Sequence, residues 1–175
     1  MSEEDDELAS QGKTCCKIRL RPGVSSLNIV AYLFGFFVII MQLTMSTSFT
    51  LFLLEDHYGV SDDDAAKMLG NLGFCGDLAS VSTELVLGYI MDYFGRKIPC
   101  VVGLILAGGA FIGSPLTSRV SWLYFFRMTM NVGALPILYS PYQIDYVHKG
   151  SMGKLQALMS IVSQFASIAA TVGAI

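Results

Sequence analysis

Residues 27–54 read LNIVAYLFGFFVIIMQLTMSTSFTLFLL, with no Asp, Glu, Lys or Arg between Leu27 and Leu54. A helix crosses the hydrocarbon core of a bilayer with roughly 20 apolar residues, so this run is long enough to span. Ile98 to Ser118 and Leu155 to Ile175 are uncharged as well. The 175-residue chain is 53% apolar and 14% charged, with a mean hydropathy of +0.57, against roughly 25% charged residues in a soluble domain. Because lipid offers the backbone no hydrogen bonds, such runs must satisfy their own and are helices. The fold class expected is therefore all-α integral membrane, with about five transmembrane helices.

Working outward from the first run, residues 1–26 form a tail that opens on an acidic block, Glu3 to Glu7, and closes on Lys13, Lys17, Arg19 and Arg21. The tail is expected to be disordered, since so acidic a segment buries too little apolar surface to order itself. The apolar run starts only at Leu27 and is too long for a cleaved leader, so it is expected to serve as an anchoring first helix. The membrane domain is expected over 27–175, with helices at 27–52, 64–92, 98–117, 121–147 and 154–175. Ser61 and Asp64 form a variant capping box before the second helix. Asp77 and Glu84 make that helix the weakest hydropathy signal, and Pro136 and Pro141 are expected to kink the fourth.

Lys and Arg counts set the orientation. With the N-terminus in the cytoplasm, the inner segments hold eight basic residues: four in the tail, Arg96, Lys97, Lys149 and Lys154. The outer segments hold two, Lys67 and Arg119. The acidic loop carrying Glu55, Asp56 and Asp62 to Asp64 then lies outside.

Several function classes are left without support. Cys15, Cys16, Cys75 and Cys100 form neither a CxxC pair nor a Cys/His cluster, so no metal site and no disulfide framework is expected. Cys15 and Cys16 are open to acylation or are plain tail residues. His57 and His148 fall in loops. No basic, aromatic-interleaved patch suggests nucleic acid, and no nucleophile set or phosphate-cradling loop suggests an enzyme or a bound cofactor.

The most specific stretch is Gly88-Tyr89-Ile90-Met91-Asp92-Tyr93-Phe94-Gly95-Arg96-Lys97, between the second and third helices. It resembles the G-x-x-x-D-x-x-G-R-K signature of the major facilitator superfamily. In the fourth helix, Arg127-Met128-Thr129-Met130-Asn131-Val132-Gly133 resembles the family's R-x-x-x-G-x-G, with Asn131 replacing the first Gly. The proton-coupling role of that motif is therefore not transferred. Asp145 with Lys149-Gly150 resembles the acidic residue and R-G pair before the fifth helix, Lys standing for Arg. The resemblance covers about 27–175 and implies the N-terminal half of the family fold. It implies that Gly88, Asp92, Gly95, Arg96 and Lys97 form a cytoplasmic gate element, and that helices 1, 2, 4 and 5 line a cavity while helix 3 stays outside.

Ionisable residues at membrane depth are functional candidates. Asp77 and Glu84, seven apart, share a helix face, and Arg127 lies at a depth similar to Asp77. Either Arg127 and Asp77 form a structural pair, or they serve substrate or proton separately. Gln42, Ser46 and Thr50 recur every four residues on the first helix, and Ser160, Gln164, Ser167 and Thr171 form a stripe on the fifth. Each stripe faces either a cavity or a neighbouring helix. Gly109 and Gly113 make a GxxxG in the third helix, a close-packing signal. The pathway candidates are thus Gln42, Ser46, Asp77, Glu84, Arg127, Asn131 and Gln164.

Two functions are compatible with these residues. The first is a secondary transporter of a small solute, working by alternating access with a proton or ion as candidate coupling partner, of which this chain is the first half. It would need a C-terminal half or a second chain. The second is a non-transporting family member acting as a membrane partner, scaffold or sensor. The orientation is testable in a cysteine-free background: a cysteine at position 62 should react with an impermeant maleimide on intact cells, and one at position 97 only after permeabilisation. The reverse pattern would invert the topology.

Overall fold

A computed structural model describes residues 14–15, 18–21, 23–138 and 145–173. Among the described residues, five long helices carry the chain back and forth. Helix α1, Ser26–Phe52, continues into a π-helical turn at Leu53–His57. Helix α2 is Asp62–Phe94 and α3 is Lys97–Gly113, ending in a 3-10 turn at Ser114–Leu116. Helix α4 is Val120–Leu138, and α5 is Met152–Gly173, entered through a 3-10 turn at Lys149–Ser151.

Caps and turns mark the helix ends. The Ser25 hydroxyl accepts from the Leu27 amide and starts α1. Ser61 sits at the N-cap of α2, but its hydroxyl donates to the Asp64 carboxylate at 3.2 Å instead of capping an amide. The capping box is therefore side chain to side chain. Between α2 and α3, Gly95 adopts φ 74° and ψ 158°, a region of backbone space open essentially to glycine alone.

Among the described residues, four helical segments are long and apolar enough to cross a membrane: Ser26–His57, Asp63–Phe94, Lys97–Leu116 and Lys149–Gly173. The second passes this criterion despite Asp77 and Glu84. The segment that falls short is α4, which carries Arg127 and Asn131. It nevertheless runs antiparallel along the length of α3. Gly113 meets Phe126 near one end, and Gly103 meets Gly133 and Pro136 toward the other. Its 19 residues rise about 28 Å at 1.5 Å each.

Packing explains how α4 tolerates its composition. Helices α2 and α3 flank it, and α1 packs mainly on α5 while also touching α4. Gly133 to Ile137 are five consecutive buried residues, so this stretch is enclosed on every side. One core joins Ile29, Phe36 and Ile39 of α1 to Ala107 and Ala110 of α3, Met130 and Ala134 of α4, and Leu155 and Met159 of α5. A second cluster closes the end that carries the acidic loop, around Leu54, Ala65, Leu72 and Leu123. There the Tyr58 hydroxyl donates to the Thr117 carbonyl at 2.8 Å. Outward surfaces are apolar instead: Leu85 is 84% exposed, and Phe74, Ile105 and Phe165 are exposed as well. Large exposed side chains on every long helix suit lipid or another apolar protein face, not water.

Helix α3 uses different small residues from those expected. Its buried face is Pro99, Gly103, Ala107 and Ala110. Gly109 has no neighbour that a Cβ would meet, and Gly113 packs on the Phe126 ring. The close backbone approach is Gly103 against Gly133: a Cβ on Gly133 would stand 2.7 Å from the Gly103 carbonyl oxygen and 2.8 Å from the Ala107 nitrogen.

Two further expectations are corrected. The fourth helix does not extend through Val147: it is described to Leu138, residues 139–144, Pro141 among them, lie outside the described residues, and Val147 forms an antiparallel bridge with Leu20. Pro136 supplies no amide donor to the helix. Near this end the Pro136 carbonyl accepts from the Cys100 thiol at 3.3 Å and the Ile137 carbonyl from the Tyr32 hydroxyl at 3.5 Å. The tail is also not wholly without structure. Strands β1, Thr14–Cys15, and β2, Ile18–Arg19, pair antiparallel, and Ile18 and Leu20 are each only 2% exposed.

Replacing Gly133 by Ala should destabilise the bundle by about 1–3 kcal/mol, because the backbone of α3 cannot retreat without opening the core. Gly109→Ala should be neutral or slightly stabilising. Thermal unfolding in detergent checks the contrast, and equal midpoints for the two variants would contradict the close crossing.

Candidate functional site

Arg127 lies within α4, about two turns from its start. Its Nη1 donates to Ser46 Oγ and its Nη2 to Thr47 Oγ1, both at 3.1 Å. Ser46 is buried on α1, and its carbonyl accepts from the Thr50 hydroxyl at 2.6 Å. The guanidinium thus ties α4 to α1 through two hydroxyls. Its Nε is buried with no hydrogen-bond partner.

A direct pair with Asp77, one of the two readings open from the sequence, is not formed. Among the described residues the carboxylate–cation contacts within 4.0 Å are Lys67–Asp64 and Arg96–Asp145. Asp77 is near enough to act on Arg127 electrostatically, yet it is exposed on α2 and turned toward a groove. Gly76, beside it, is the notch that lets α2 approach: a Cβ there would collide with the Asn131 amide and stand 3.7 Å from the Arg127 Cγ. Spacing alone put Arg127 and Asp77 at one depth. The rotation of α2 and the Gly76 notch separate them.

The groove has a volume of about 460 Å³ and lies between α2 and α4, with Leu43 of α1 at its edge. Asp77, Ser80 and Glu84 line it from α2, and Asn131 and Leu138 from α4. Asp77 and Glu84 are exposed within it, and Asn131 is half-buried. Three of the seven pathway candidates therefore meet here, with Arg127 one helical turn from Asn131. Ser80 belongs to the same set and was missed, because a lone Ser in a membrane helix is usually a packing contact.

The other candidates lie elsewhere. Gln42 donates through Nε2 to the Ala107 carbonyl at 2.7 Å, so it joins α1 to α3. Ser46 serves Arg127. Gln164 is exposed on α5, away from the residues lining the groove. The Gln42, Ser46 and Thr50 stripe is thus a face that seats neighbouring helices.

At the other end of α2 lies the Gly88–Lys97 element. Arg96 Nη1 donates to Asp145 Oδ2, joining the α2–α3 turn to the segment that follows α4. In the sequence, Asp145 stands out only by its resemblance to the acidic residue before the fifth helix of the family. Its role as the partner of Arg96 depends on how the linker folds back. Gly88 and Asp92 are exposed, and Gly88 has no neighbour that a Cβ would meet. Lys97 is exposed and lines a separate apolar cavity of about 330 Å³ with Tyr32, Cys100 and Leu104.

A double-mutant cycle distinguishes the observed geometry from a contact pair. Arg127→Gln with Ser46→Ala should show coupling of roughly 1–2 kcal/mol, and Arg127→Gln with Asp77→Asn about 0.5 kcal/mol or less. Thermal stability of the four variants in each cycle is the measurement. A larger coupling to Asp77 than to Ser46 would contradict the hydroxyl clamp.

Comparison with known proteins agrees with this architecture. The sequence model described as Major Facilitator Superfamily matches residues 7–171. The chain is similar to the inner membrane metabolite transport protein YdjE of Escherichia coli (strain K12), 29% identical over 95 residues. That match covers 53% of this chain and 21% of the relative, so the chain spans about a fifth of its length. No solved structure matches. The family is one of membrane transporters and not of enzymes, and with its model covering nearly the whole of this all-α, multi-pass chain, the protein belongs to the major facilitator superfamily.

Proposed function

We propose that the chain forms the first half of a secondary transporter that carries a small solute by alternating access. The observation that carries this reading is the groove holding Asp77, Glu84 and Asn131 one helical turn from the half-buried Arg127. Carboxylates on an apolar helix are costly, and here their faces are turned to open space and not to a partner cation. A polar groove on the surface of a membrane bundle needs a second wall to exclude lipid. A further set of helices, on the same polypeptide or on another chain, supplies it and completes a site between two halves. The substrate class fitting this lining is a small polar or cationic solute, with Asp77 and Glu84 as its anionic contacts or as proton carriers.

In the same reading, Gly88 to Lys97 is the gate element on the cytoplasmic side, and the N-terminus is cytoplasmic. Arg96 bound to Asp145 stiffens the turn. The bare Gly88 and Asp92 surface is the part offered to the opposite half. The strained Gly95 backbone makes that turn intolerant of a side chain.

Transport by the full transporter, in cells supplied with pooled radiolabelled small solutes, tests both parts. Asp77→Asn and Glu84→Gln should each lower uptake at least about tenfold, a loss of roughly 1.4 kcal/mol in the rate-limiting step, without loss of membrane insertion. Asp92→Asn and Gly95→Leu should do the same. Unchanged uptake in the groove variants would remove the substrate reading, and unchanged uptake in the turn variants would remove the gate.

A further inference from the structure

The segment preceding α1 makes contacts that neither the bundle nor the groove requires. The Arg21 amide donates to the Tyr146 carbonyl and the His148 amide to the Arg19 carbonyl, each at 3.0 Å. The Arg19 amide donates to the Ser151 hydroxyl at 3.2 Å, and Ser151 is itself buried. Ile18 and Leu20 are buried in the core cluster that contains Val147 and Leu155. Residues 18–21 therefore add a strand to the edge of the linker between α4 and α5, and both of their apolar side chains are used.

The linker so held is the one that carries Asp145. The Tyr146 carbonyl and the His148 amide, one and three residues beyond Asp145, are both fixed by the strand. Asp145 in turn accepts from Arg96. We propose that Ile18, Leu20 and Ser151 are positioning residues: the N-terminal strand is a strap that holds the linker so that Asp145 stays on Arg96. The strap is a small element, held among the described residues by three hydrogen bonds to the 146–151 segment and a few buried side chains. It can detach at far lower cost than a helix can, and local opening of such low-stability units is how proteins commonly switch. Its detachment frees Asp145 to leave Arg96, and the N-terminal tail thereby gains control of the α2–α3 turn. The consequence for gating rests on the proposed gate, whereas the strap and its hold on Asp145 do not.

The bridge geometry gives a direct test. Leu20 and Val147 face each other between the two backbone hydrogen bonds, as a non-hydrogen-bonded antiparallel pair. Such pairs have Cα atoms about 4.5 Å apart, at the short end of the disulfide range. In the full chain freed of native cysteines and kept in membranes, Leu20→Cys with Val147→Cys should oxidise nearly completely, read as lost modification by a polyethylene glycol maleimide. The off-register pair Leu20→Cys with Lys149→Cys should oxidise at least about tenfold more slowly. Equal rates, or no cross-link in the first pair, would overturn the strap.

The hold on Asp145 is read by a second cycle, with thermal midpoint as the measurement. Ile18→Asp combined with Leu20→Asp should lower the midpoint by several degrees, and Leu20→Ile should restore most of it. In the strap-broken background Asp145→Asn should cost less than half of what it costs in the intact chain. Fully additive losses would overturn the positioning role. The cross-link needs no folding of the Asp variants, so it decides the strap even if they fail to insert. Normal transport in Gly95→Leu would overturn the gate alone and leave both results here standing.

Discussion

A guanidinium held inside an apolar bundle sets the arrangement of everything around it. The charge of Arg127 is tolerable at membrane depth only where hydrogen-bond acceptors are fixed around it and lipid is kept away. The hydroxyls of Ser46 and Thr47 supply two acceptors from α1. Keeping lipid away falls to α2 and α3, which flank α4. Both must come close, and each does so through glycine: Gly76 receives the Asn131 amide, and Gly103 and Gly133 bring the backbones of α3 and α4 together. In lipid no hydrophobic effect drives helices together, so small residues and interhelical hydrogen bonds carry the association. The Gln42 bond to the Ala107 carbonyl is of the same kind.

The same enclosure separates the two halves of the polar chemistry. Arg127 is satisfied inward, by α1. Asp77 and Glu84 are turned outward from α2 into the groove, with Asn131 between the two environments. The cation thus organises the bundle, and the anions are left available. The proposed transport function rests on that division of labour, with the carboxylates open to solute or proton and the arginine held within the packing. A contact pair would have neutralised both and left the groove with little chemistry.

At the opposite end of α2, order is built from short elements. Gly95 turns the chain, Arg96 reaches Asp145, and the strand at 18–21 grips the backbone beyond it. None of these contacts crosses the hydrocarbon core, and each joins segments far apart in sequence. They make this end a small assembly of turns and strand joined to the apolar core through Ile18, Leu20 and Val147.

The one-dimensional features were legible from the residues: uncharged runs long enough to span, an all-α membrane fold, and a turn signature at Gly88 to Lys97 specific enough to indicate the superfamily. Length and charge decide these, because lipid permits little except helices. Helix rotation was not legible. Asp77 and Arg127 could be set at one depth, but only the packed bundle turned one to the groove and the other to Ser46. The GxxxG at Gly109 and Gly113 matched a pattern, whereas the close crossing chose Gly103 and Gly133, because which face of a uniformly apolar helix meets its neighbour depends on the neighbour. The composition of residues 1–26 gave no sign that Ile18 and Leu20 would be buried. Their partners lie more than a hundred residues away in the 145–151 linker, and a strand of this length gains its hydrogen bonds and its cover only once the helices have brought that edge beside it.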